Sequence, residues 1–133
     1  MSLNYAKPYW GHAAEFQVSG WPFVVSGSVN STPSVVKFGH VTQWVQIQNT
    51  DNSKSLRFGF TENGVNNNNF YLLQGGSNAK SISPVMNLKC TEIWFRSDRA
   101  GDITSYSLVA ALTNVNTGDF PVLTGSNGFA GVG

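Results

Sequence analysis

The residues able to do chemistry are few. His12 and His40 are the only histidines, and neither stands in an HxH or HExxH spacing, so an imidazole-held metal would lack its further ligands. Both read as structural or surface histidines. Cys90, the only cysteine, lies between Lys89 and Thr91 at the start of a strongly alternating segment, with no glycine-rich elbow beside it. A nucleophilic thiol needs a neighbour that lowers its pKa, so the expectation here is a buried structural thiol. The seven carboxylates are Glu15, Asp51, Glu62, Glu92, Asp98, Asp102 and Asp119, and most fall at expected turns or strand ends. A glycosidase needs two carboxyl groups about 5 Å or about 6.5 to 9.5 Å apart, and folding could bring almost any two of these there, so the requirement selects none of them. Asp98, Arg99, Gly101 and Asp102 match no EF-hand loop and read as a solvated turn. No catalytic residue, cofactor site or metal site emerges.

Composition narrows the class further. The 133 residues suit one domain with one core. Charged residues make up 11% of the chain, against about 25% in an average globular protein. The surface must therefore be largely neutral, made of Asn, Ser, Thr, Gln and Gly. Such a surface repels its own copies weakly and suits packing against neighbours. A net charge of +1 with scattered basic residues gives no electrostatic case for nucleic acid. A lone cysteine excludes an intrachain disulfide, so folding in a reducing cytosol is expected. The first 16 residues contain no apolar segment of signal-peptide length, and no apolar run is long enough to span a bilayer. The expectation is a soluble chain without direct membrane insertion, not exported by itself. On that ground the Asn30-Ser31-Thr32 sequon is not expected to be glycosylated.

The elements that would position these side chains are strands. Leu56, Phe58 and Phe60 alternate with Arg57, Gly59 and Thr61, the period of two of a half-buried strand. Val41, Val45 and Ile47 share one parity of a preceding strand, and Asn49 to Ser53 form the turn between the two. Whether the two strands pair or cross between sheets is not fixed by the pattern. Further strands are expected at 13–19, at Phe23–Val25 after Pro22, and at Val35–Phe38. Phe70–Leu73, apolar on both parities, is expected to be buried on both sides. A short strand follows near Val85–Leu88, and a strongly alternating one over Thr91–Arg96, with Thr91, Ile93 and Phe95 on one face and Glu92, Trp94 and Arg96 on the other. A long central strand covers Ile103–Thr113. Asn63-Gly64 predicts a turn with positive φ. No stretch shows capped helical periodicity. About eight short strands punctuated by Gly, Asn, Ser and Pro predict an all-β fold, a single antiparallel jelly-roll β-sandwich, with an immunoglobulin-like sandwich as the second choice.

The segments WVQIQNTD (Trp44–Asp51), LRFGFTENG (Leu56–Gly64), FYL (Phe70–Leu72), LKCTEIWF (Leu88–Phe95) and YSLVAALT (Tyr106–Thr113), in this order, resemble the penton (vertex) capsid proteins of large icosahedral double-stranded DNA viruses of eukaryotes, chloroviruses in particular. The resemblance spans Val41 to Thr113. It implies a single jelly roll and a homopentamer that closes the fivefold vertices of the capsid. It also implies neighbouring capsomers of the major capsid protein, with minor capsid proteins as further partners, and a place at the capsid vertex of a virion assembled in the host cytoplasm. It implies no catalysis and no cofactor. The different-class alternative is a carbohydrate-binding β-sandwich module.

The expected organisation is an N-terminal arm over 1–12, a jelly-roll domain over 13–116 and a Gly-rich tail over 117–133. Arm and tail show no strand pattern, so they are expected to order mainly against other subunits. Tyr9, Trp10, Trp21, Phe120 and Phe129 are the candidate interface residues, because aromatic anchors dominate interface energetics.

Overall fold

The structure is a computed structural model of the chain, and it describes residues 10, 11, 13, 16, 19–75 and 81–133. The alternating segments form strands β1 (Trp21–Val29), β2 (Ser34–Lys37), β3 (His40–Asn49), β4 (Leu56–Gly59), β5 (Tyr71–Leu73), β6 (Glu92–Ser97) and β7 (Thr104–Asn116). They build two antiparallel sheets, one ordered β1-β7-β3 and the other β2-β6-β4-β5. The free edge of β3 is not bare. Residues 81–88 lie along it through antiparallel bridges at Val45–Met86 and Gln48–Ile82, with Val45 and Met86 exchanging backbone bonds of 3.0 and 2.9 Å.

Counting that segment as the sixth of eight strands in chain order, the sheets run 1-8-3-6 and 2-7-4-5. Nearly every connection crosses from one sheet to the other. This is the order of two nested Greek keys, so the chain is a single jelly roll. β3 and β4, flanking the Asn49–Ser53 turn, belong to different sheets.

The core lies between the sheets and follows the alternation. Val45, Ile47, Leu108 and Ala110 of the first sheet meet Leu56, Phe58, Ile93 and Phe95 of the second, all of them buried. Phe95 stacks on Tyr106 across the gap, with ring centres 4.1 Å apart, and Phe23 meets Phe38 edge-on at 5.0 Å. Pro22 sits in β1, an edge strand, where its missing N–H removes little of the ladder. β7 is central, as expected from apolar residues on both its faces.

Four expectations are corrected. Ala13 and Phe16 have helical backbone, so the strand over 13–19 does not form at those positions; isolated propensity there was too weak to decide. Asn63-Gly64 does not turn with positive φ, because these residues belong to a short helix, α1 (Glu62–Asn66). Thr61 caps it, its Oγ1 accepting from Gly64 N at 2.8 Å. Gly64 serves close approach instead: a Cβ there would collide with the Val132 carbonyl oxygen. β5 is not buried on both sides, since it is the edge of its sheet and only Leu73 points into the core. The tail, finally, folds on its own domain. Leu123 packs against the core, Thr61 Oγ1 donates to Val132 O at 2.7 Å, and Gly125 N donates to Gly133 O at 2.9 Å. Backbone hydrogen bonds and a few apolar contacts supply what a strand pattern did not.

Candidate functional site

The chemically able side chains are dispersed and mostly occupied. Cys90 is buried at the head of β6, and burial pushes its thiol up to about 11, opposed by the hydrogen bond with Thr42 and reinforced by the charge of Glu92. Thr42 Oγ1 donates to Leu88 O at 2.8 Å, accepts from Cys90 N at 3.0 Å and lies 3.3 Å from the Cys90 thiol, within hydrogen-bond reach. It is a structural thiol, as expected. Asp51 Oδ1 accepts from Ser53 N and Lys54 N within its own turn. Asp98 pairs with Arg57 at 2.8 Å, and Asp102 with Lys54 at 3.4 Å. The described residues include no group of three or more His, Cys, Asp or Glu close enough to share a metal. His12 and Glu15 lie outside the described residues.

The aromatic candidates separate. Trp21, 63% exposed, opens β1 and donates its indole N–H to Asn114 Oδ1 at 2.9 Å. Trp10, 48% exposed, meets Phe120 edge-on at 6.4 Å, while Lys89 donates to its carbonyl and hangs over its ring. Phe129, 37% exposed, belongs to the last turns of the tail. Tyr9 lies outside the described residues. The fold thus joins Trp10 to Phe120.

Two features were not foreseen from the sequence. The first is a division of charge between the sheets. No Asp, Glu, Lys or Arg occurs in β1, β3, β7 or residues 81–88, whereas the other sheet carries Lys37, Arg57, Glu92 and Arg96. The outward face of the first sheet is therefore neutral, built of Val24, Ser26, Ser107, Gln46, Gln48 and Ile82, with Val24 72% exposed. Its signal was present in the sequence as four uncharged segments, but their adjacency was not.

The second is a groove of about 290 Å³ on the outward side of β6. Trp94, Glu92 and Thr91 form one wall, Phe60, Thr61 and Glu62 another, and the tail from Phe120 to Thr124 a third. The alternation placed Glu92 and Trp94 on one face together. Only the returning tail makes a groove of them.

No known family model matches the chain, and no curated protein does. Among solved structures it is similar to the capsular polysaccharide assembling protein CapF from Staphylococcus aureus, at 8% identity and a TM-score of 0.34 over 70% of this chain and 23% of that one. It is also similar to RmlC from Streptococcus suis in complex with dTDP-D-xylose, at 12% identity and a TM-score of 0.34 over 77% of this chain and 48% of that one. The chain spans about a quarter of the first and half of the second. Likeness at this level carries no argument about chemistry.

Proposed function

We propose that this chain is a structural virion protein, the penton capsomer that closes the fivefold vertices of an icosahedral capsid of a double-stranded DNA virus of eukaryotes. The observation that carries the reading is the single jelly roll in which one whole sheet is free of charge. A fivefold ring is a head-to-tail assembly in which each copy presents two different flanks, and burying uncharged surface there avoids the cost of stripping water from ions. Each flank needs on the order of 800 Å² per partner. Three of the five segments on which the resemblance rests also hold buried residues that join separate parts of the fold, Asn49, Thr61 and Cys90. In this reading the chain performs no reaction, takes no cofactor, binds no nucleic acid and inserts into no membrane. Its neighbours are its own copies and the capsomers of major and minor capsid proteins.

Native mass spectrometry of the purified chain tests this. A species of five times 14.4 kDa, and density for the same fold at the vertices of a reconstructed particle, are the expected results. A chain that stays monomeric and is absent from every vertex overturns the reading. Saturable binding on a glycan array by that monomer would favour a carbohydrate-binding module instead.

A further inference from the structure

The groove beside β6 has a lining of one electrical sign. Glu62 and Glu92 both line it, and among the described residues no Lys, Arg or His does so and none forms a hydrogen bond or ion pair with either carboxylate. Lys37, opposite Glu92 in the register of β2 and β6, neither lines the groove nor pairs with it. Around the carboxylates stand the rings of Phe60, Trp94 and Phe120. Aromatic faces and carboxylates attract the same kind of guest, a cation, the former through the ring quadrupole and the latter through charge. Phosphates and other anions are repelled by the same lining. Its volume, about 290 Å³, lies at the lower end of the range of about 300 to about 1,000 Å³ for pockets that take small molecules, so a small organic cation has room in it.

We propose that the groove formed by β6, the start of α1 and the returning tail is a binding site for an organic cation, a guanidinium or primary ammonium on a short aliphatic stem. The carboxylates of Glu62 and Glu92 hold the charge, and Trp94, Phe60 and Phe120 cover the stem and the flat face of the ion. An arginine or lysine side chain of a neighbouring protein and a free polyamine share this chemistry. The inference does not depend on the capsid reading, because the lining is a property of the isolated chain.

The probes are n-propylguanidinium, spermidine, the neutral isostere N-propylurea and methyl β-glucoside, each added to the ¹⁵N-labelled full chain at matched ionic strength. The readout is the indole N–H resonance of Trp94, assigned by its loss in Trp94→Phe. Saturable shifts are expected with the two cations only. The Glu62→Gln/Glu92→Gln variant should weaken them by about tenfold while keeping the wild-type thermal midpoint, since both side chains are at least partly exposed and unpaired. Tighter binding of n-propylguanidinium marks a protein side chain as the guest, and tighter binding of spermidine a polyamine. The proposal is overturned if N-propylurea shifts the resonance as strongly, if the glucoside is the ligand that saturates, if the double variant binds unchanged, or if no cation shifts Trp94 at all.

Discussion

Asn49 Nδ2 lies 2.8 Å from the carbonyl oxygen of Leu73, a bond that runs from β3 in one sheet to the edge strand β5 of the other. The same amide donates to Lys54 O at 2.8 Å, and its Oδ1 accepts from Asp51 N at 2.9 Å. The residue is fully buried, so each of these partners depends on it. The turn read from the sequence as a local feature is therefore also a fastening between sheets.

Asn49→Ala is expected to leave two carbonyls and one N–H without partners, at a cost of about 3 kcal/mol or more. Asn68→Ala, at an exposed site, should change stability by no more than about 0.5 kcal/mol. Urea denaturation of the two variants measures the difference, and equal midpoints would show that the amide holds nothing together.

Phe58 is buried in the core and stacks obliquely on Tyr71 at 5.4 Å, so Phe58→Ala should cost about 3 to 5 kcal/mol. Phe60 follows the end of β4 and is only half-buried, which predicts a smaller loss. Arg57 is less dispensable than its outward parity suggested. Its guanidinium donates to Asp98 Oδ1 and Val65 O and lies 4.1 Å over the Phe70 ring. Arg57→Ala should therefore fall between a surface change and a core truncation, at about 1 to 2 kcal/mol. Chemical denaturation should rank the variants Phe58→Ala, then Phe60→Ala and Arg57→Ala; a loss at Arg57 equal to that at Phe58 would contradict the burial of this strand.

The raised pKa of Cys90 makes stability depend on alkaline pH. The folded chain keeps its thiol proton up to about pH 11, whereas an unfolded thiol loses it from 9.0, so between these values the folded state binds more protons. By linkage, stability should decline as pH rises through that window, by at most about 2 to 3 kcal/mol. Cys90→Ala should flatten the decline relative to the wild-type chain. At neutral pH a disulfide reagent should react with Cys90 only after denaturation; rapid reaction with the native chain would place the thiol at the surface.

The tail should resist protease in the free chain, because its contacts are internal. Thr61→Val removes both the helix cap and the hydroxyl bond to Val132 O, so cleavage after residue 117 should accelerate while the sheets stay intact. Trimming of the wild-type tail as fast as that of the variant would return these residues to the assembly-ordered class.

Much of this architecture was legible in the residues alone. Side-chain period two is set by the pleat of a single strand, and it located the inward positions Val45, Ile47, Leu56, Phe58, Ile93 and Phe95 without any knowledge of the partners. The scarcity of charge and of ligating groups likewise belongs to composition. It foretold a surface with few charges, and the place of Cys90 at the start of an alternating segment foretold its burial.

What required the tertiary structure was adjacency between distant segments. Sheet membership separates β3 from β4, yet alternation is the same whether neighbours pair or cross. The edge position of β5 exposes a segment whose sequence reads as core. The tail closes against Thr61 and Gly64 through backbone carbonyls, which every sequence possesses and none advertises. For the same reason the groove was hidden: Glu62, Glu92 and Phe120 are remote in the chain, and only the return of the tail over β6 makes them walls of one space.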